Sequence, residues 1–124
     1  MSFALEFPDS EVRDVVADGG VVRLRLSAAA VRNDAGERGW LTSVQLAFTG
    51  AVVHGDTTHA FGRIAEGRLR RDDRGVERLA VPGVSTGDLE LALRLANGTQ
   101  FVVRGRTLEA GAADGARFTP DLSC

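Results

Sequence analysis

The sequence predicts one antiparallel all-β domain spanning residues 1–124, a β-sandwich or flattened barrel of about eight or nine strands. Three observations lead there. Apolar and polar residues alternate with period two in several stretches, most cleanly in LELALRLANGTQFVVRGRTL, residues 89–108. Fifteen glycines recur where those stretches end, at positions suited to turns. No window of about ten residues carries a helical periodicity.

In chain order, Phe3, Leu5 and Phe7 alternate and stop at Pro8, which suits a first or edge strand. Residues 11–17, EVRDVVA, are ambiguous. Ser10 is placed to cap a short helix, but Asp18-Gly19-Gly20 before VVRLRLS reads better as a hairpin turn between strands. Val22, Leu24 and Leu26 then face the core, with Arg23 and Arg25 outside. Residues 33–39, NDAGERG, are a solvated loop. WLTSVQLAFTG follows as a strand with Val44, Leu46 and Phe48 inward and Ser43, Gln45 and Ala47 outward. After Gly55 come the short segments AFGRIA, GRLRR and VERLAV, divided by turns at Glu66-Gly67 and Asp72-Asp73-Arg74-Gly75, and closed by Pro82-Gly83. In the tail, Phe118 and Leu122 are placed to pin the chain to the body.

The hairpin at 89–108 permits a register argument. A two-residue Asn97-Gly98 loop, the default for this dipeptide, sets Leu91 opposite Arg104 and Leu95 opposite Gln100, which puts polar groups on the apolar face. A three-residue loop of Ala96, Asn97 and Gly98 instead sets Leu93 opposite Phe101, Leu91 opposite Val103 and Glu90 opposite Arg104. Gly98 then takes the left-handed position of a bulged turn. Because a one-residue slip exchanges the faces, the apolar pattern outweighs the dipeptide rule. The bulged loop is expected.

Composition narrows the function. Hydrophobic residues make up 44% and charged residues 26%, values that argue for a folded core and against disorder. All 15 basic residues are arginine, and tyrosine is absent, which removes a Schiff-base lysine, a Walker lysine and a tyrosine acid or nucleophile. The net charge of −2 gives no long-range attraction for nucleic acid. No apolar run approaches the ~18 residues of a membrane span. The start, MSFALEFPDSE, lacks a basic segment of secretory type, so cytoplasmic residence is expected. The single cysteine, Cys124, allows neither an internal disulfide nor a thiolate metal cluster.

Candidate chemistry is sparse. His54, Asp56 and His59 form H-x-D-x-x-H, the only cluster of metal-type ligands. Zinc would want a third or fourth ligand in fixed geometry, and a polar loop explains the pattern better; no metal or cofactor is expected. Asp72 and Asp73 in RRDDRG resemble paired carboxylates, but flanking arginines would hold both ionised. Gly83-Val84-Ser85-Thr86-Gly87 spells G-x-S-x-G, but no serine has the strand–turn–helix context of a strained nucleophile elbow. The arginine-rich stretch from Arg63 to Arg78 is nearly cancelled by its acids and has only Phe61 nearby to stack on bases, so a solvated hairpin is the better reading. Residues 1–20 are acidic, with Glu6, Asp9, Glu11, Asp14 and Asp18 against Arg13 alone, which suits docking of a basic partner.

The run VRLRLSAAAVRN, the segment AFGRIAEGRLR, the hairpin LELALRLANGTQF and the ending RFTPDLSC resemble small bacterial β-rich proteins, some of them similar to the immunity proteins of contact-dependent growth inhibition and other polymorphic toxin systems. The resemblance implies a non-enzymatic binding protein that covers the active site or substrate groove of a cognate toxin domain. It carries no catalytic residues, and it makes the acidic cluster of Glu6, Asp9, Glu11, Asp14 and Asp18 the expected contact surface. A different class remains open: a small-ligand β-barrel whose mouth is lined by Trp40, Phe48 and Phe61.

Overall fold

The computed structural model describes residues 2–121 and consists of ten strands. They are β1 (Phe3–Asp18), β2 (Val21–Arg32), β3 (Arg38–Thr49), β4 (Val52–Gly55), β5 (Gly62–Arg71), β6 (Arg74–Val76), β7 (Leu79–Val81), β8 (Gly83–Leu95), β9 (Gln100–Ala112) and β10 (Phe118–Pro120). Every pairing between them is antiparallel. β1, β2, β3, β9, β8 and β5 close into a barrel, while β4, β6, β7 and β10 extend it. The all-β expectation holds in barrel form.

The strand number exceeds the expected eight or nine for identifiable reasons. Gly50, in the left-handed region at φ 58°, bends the chain between β3 and β4, yet both pair with β9 on one edge. VERLAV divides: Val76 ends β6, which pairs with β5, and Leu79 starts β7, which pairs with β1. The tail adds β10 beside β3.

Two expected breaks do not occur. β1 continues through Pro8, so residues 11–17 are strand and not helix. Asp9 enters the left-handed region at φ 71°, and the β1–β2 register shifts around it. Ser10, fully buried, closes this bulge: its hydroxyl donates to the Glu6 carbonyl (2.8 Å) and accepts from the Ala30 N–H (2.9 Å). Ser10 thus replaces a missing ladder bond, as the preferred strand reading allows and the alternative of a helix cap does not. Likewise, β5 runs unbroken through Glu66-Gly67, where a turn was expected. A Cβ on Gly67 would sit 2.6 Å from the Cβ of Phe7, so this glycine serves a close approach and not a turn.

Other readings hold. Gly19 and Gly20 form the two-residue turn between β1 and β2, with Asp18 opposite Val21. Asp72 and Asp73, both at positive φ, make the same kind of turn between Arg71 and Arg74. In the β8–β9 hairpin, Leu93 faces Phe101, Leu91 faces Val103 and Glu90 faces Arg104, with Gly98 at φ 91°. This is the bulged three-residue loop.

The barrel interior is filled by apolar side chains. Val22, Leu24, Leu26, Val44, Leu46, Phe48, Leu89, Leu91, Leu93, Leu95, Phe101 and Val103 are all buried in one cluster. At one end Phe118 packs on Phe3, ring centroids 5.5 Å apart, and lies over Gly39, where a Cβ would come 2.6 Å from its ring. Phe118 therefore pins the tail as expected; Leu122 and Cys124 lie outside the described residues.

Candidate functional site

With the interior occupied, chemistry falls on the outer wall. The five acids expected to form a contact surface all lie on β1, and their side chains meet different neighbours. Asp14 is held by the Arg25 guanidinium, Nε to Oδ1 at 2.6 Å, on the neighbouring strand. This hydrogen bond from Arg25 holds the Asp14 carboxyl below the usual range and raises Arg25 in turn. Asp9 reaches Arg63 at 3.4 Å, and Glu11 accepts from the Ser27 hydroxyl at 2.6 Å. Glu6 Oε1 and Arg32 Nε face each other at 3.4 Å, both sealed from solvent. Asp18 ends the strand beside the Gly19-Gly20 turn, and its side chain forms no hydrogen bond or ion pair among the described residues.

A concavity of about 780 Å³ opens against this wall. Glu11, Arg13, Arg25, Ser27 and Gln45 supply polar lining, and Phe61 stands at it 54% exposed. Phe61 is held from behind. Its N–H donates to the His59 carbonyl (2.9 Å), and Asn97 Nδ2 donates to the carbonyls of His59 (2.9 Å) and Phe61 (3.3 Å). The Thr99 hydroxyl adds a third bond to His59 at 3.2 Å. The tip of the β8–β9 hairpin therefore clamps the backbone of the β4–β5 loop that carries the exposed Phe61 ring, with the His59 imidazole edge-on at 6.2 Å.

The remaining candidates are accounted for locally. Among the described residues, no three His, Cys, Asp or Glu side chains are arranged to hold a metal ion. Asp56 is occupied by Thr58, whose hydroxyl and N–H both donate to Oδ1; the hydroxyl bond chiefly lowers its pKa. His54 lies exposed on β4. Asp72 accepts from the Asp88 N–H at 2.9 Å and so ties the β5–β6 turn to the β8 bulge. Trp40, Phe48 and Phe61 share no cavity: Trp40 lines a dimple of about 180 Å³ near Arg38 and Asp121, Phe48 is core, and Phe61 is on the outer wall.

The opposite wall carries a feature that residue-by-residue reading misses. On β5, β8, β9 and β4, Arg68 faces Ala92, Ala92 faces Val102, and Val102 faces His54. This rung crosses a concavity of about 440 Å³. Pairing Glu90 with Arg104 already fixes Ala92 against Val102, so half of the rung was implicit in the hairpin register; the partners on β5 and β4 were not. Arg94 bonds Glu66 at 2.8 Å and thereby lowers the Glu66 pKa, and Arg104 meets Glu90 at 3.3 Å. No protein-family model, no curated protein and no solved structure matches the chain.

Proposed function

We propose that the protein is a non-enzymatic binding protein, of the toxin-neutralising kind its sequence resembles, which acts in the cytoplasm by covering the active site or substrate groove of a cognate toxin domain. The observation that carries the reading is the clamped, exposed Phe61 beside the 780 Å³ concavity. Interface anchors are typically aromatic side chains whose position is fixed before binding, so that little freedom is lost on association. Around Phe61 lie Glu11 and the ion pairs of Asp9 and Asp14, half-exposed charges of the kind found at an interface rim. A standard interface of ~800 Å² per partner would cover the concavity together with its rim.

The resolved carboxylate shifts all run downward, toward the ionised form, for Asp14, Asp56 and Glu66. None of the three is raised toward neutrality, as a carboxyl serving as general acid would be.

The test is co-expression with a toxin domain encoded beside the gene. Growth rescue and complex formation are expected, with Phe61→Ala weakening the complex by at least ~30-fold, as for a central anchor. Neutralising Glu11 and Asp18 should slow association and flatten its salt dependence. Absence of both binding and rescue rejects the reading.

A further inference from the structure

On the wall away from Phe61, we infer that the rung Arg68–Ala92–Val102–His54 is a docking groove for an extended acidic segment of a second protein, with the pattern acidic–x–apolar–x–acidic.

The occupant follows from charge and spacing. Arg68 is exposed and forms no hydrogen bond or ion pair among the described residues. The nearest acid on its own strand face, Glu66, is taken by Arg94, and Glu90 on the other side is taken by Arg104. Arg68 also feels the Glu66 carboxylate, but two guanidiniums, Arg68 and Arg94, face this single acid in the lining of the concavity, so this end of the rung keeps a net positive charge. At the other end the exposed His54 imidazole offers an N–H donor in either protonation state. Between them Ala92 and Val102 are half-buried and uncharged, forming a shallow apolar floor.

Arg68 and His54 are separated by three inter-strand steps, about 14 Å at the usual sheet spacing. An extended peptide lying across the strands advances about 13 Å in four residues and presents residues i, i+2 and i+4 to the same side. Carboxylates at i and i+4 then meet Arg68 and His54, and an apolar side chain at i+2 meets the floor. Arg68 can take its carboxylate through two parallel N–H bonds. A nucleic-acid strand suits the groove less well. Its continuous phosphates would run past Glu66 and Glu90, and the lining offers no exposed Phe or Trp for bases to stack on, only the imidazole of His54.

The experiment is fluorescence anisotropy of the full chain with a labelled peptide GSESVSESG, in low and physiological salt. Saturable binding is expected, weakened about tenfold by Arg68→Ala and by His54→Ala, since each removes a charge-assisted hydrogen bond. Ala92→Glu, which puts a like charge on the floor, should abolish it. Arg23→Ala, on the other wall, should leave it unchanged. The peptide GSQSVSQSG, and GSEVESSSG with its acids two residues apart, should both bind at least fivefold more weakly. The substituted residues are exposed or half-buried, and an unchanged urea midpoint establishes that each variant is folded. Absence of saturable binding, insensitivity to Arg68→Ala, equal binding of the closely spaced peptide, or competition by a ten-nucleotide oligothymidylate would each overturn the inference. These outcomes are independent of Phe61, so they do not bear on toxin neutralisation.

Discussion

Strands β3 and β9 close one side of the barrel through six consecutive pairs, from Val44 opposite Ala112 to Thr49 opposite Thr107. Strands β1 and β5 close the other side through only two, Glu11 opposite Arg63 and Val12 opposite Gly62. Beyond those two pairs the strands part, and other elements finish the seam. β7 covers the start of β1, β6 covers the end of β5, and the buried Phe7 fills the notch above Gly67. A barrel removes its exposed strand edges by closure. Here one seam is closed by a hydrogen-bond ladder and the other chiefly by packing. The two should therefore fail in different ways.

Phe7→Ala probes the packed seam most severely. Losing a buried phenylalanine should cost about 3–5 kcal/mol, measured by urea unfolding. Phe48→Ala, at the ladder seam, should cost a similar amount. Hydrogen exchange separates the cases: Phe7→Ala should speed exchange in β1 and β5 ahead of β3 and β9. Uniform acceleration would remove the distinction between the seams.

A matched pair of glycines sharpens it. At Gly67 a Cβ would meet the Cβ of Phe7 at 2.6 Å and Leu93 Cδ2 at 2.9 Å, so Gly67→Ala should cost about 1–3 kcal/mol through overpacking. At Gly111, on β9 opposite Gln45, nothing lies within 4 Å and φ is ordinary. Gly111→Ala should then stay within about 0.5 kcal/mol of the parent. Equal urea midpoints for the two variants would show that the notch relaxes freely.

Ser10→Ala tests the bulge that lets β1 leave β5. It strips the Ala30 N–H and the Glu6 carbonyl of a buried partner, at a cost of about 1–3 kcal/mol. Ser10→Cys, which keeps a weak donor and acceptor, should recover part of the loss.

The β8–β9 hairpin was readable because its information is local, whereas the β3–β9 ladder joins residues such as Val44 and Ala112 that are far apart in sequence. Leucines at period two, one glycine and one charge pair settled the β8–β9 register without reference to the rest of the chain. The packed seam was hidden because its determinants are distant in sequence. Gly67 reads as a turn until Phe7 lies against it, and the role of Ser10 is open until Ala30 is its neighbour. The neighbours of the acidic cluster were hidden for the same reason. Sequence displays the charges of Asp9 and Asp14, but their partners Arg63 and Arg25 arrive only with the strand pairing. Phe61 was visible as an aromatic for a pocket mouth or for stacking; the clamping of its loop by Asn97 and Thr99 was not.

The smallest expected effect concerns the ion pair that spans β1 and β2. The Arg25 guanidinium hydrogen-bonds Asp14 and holds its folded pKa below the ordinary 3.8. A depressed carboxylate pKa means that the folded state favours the ionised form, so the stabilisation is complete above the ordinary value and is lost as pH falls through the folded one. Both partners are partly exposed, 42% for Arg25 and 35% for Asp14, so solvent screens the pair and its contribution stays small. Asp14→Asn should therefore lower the urea midpoint slightly at pH 7 and by the same amount at pH 5. The gap should shrink below pH 3.8 and vanish once the parent carboxyl is itself protonated. A gap that persists at the lowest pH would assign the effect to packing of the β1–β2 ladder, because the Coulombic part must disappear with the charge. Since Asp14 is displaced along β1 from Phe7, its loss should leave exchange across the packed seam unchanged, which separates the electrostatics of this wall from the closure of the barrel.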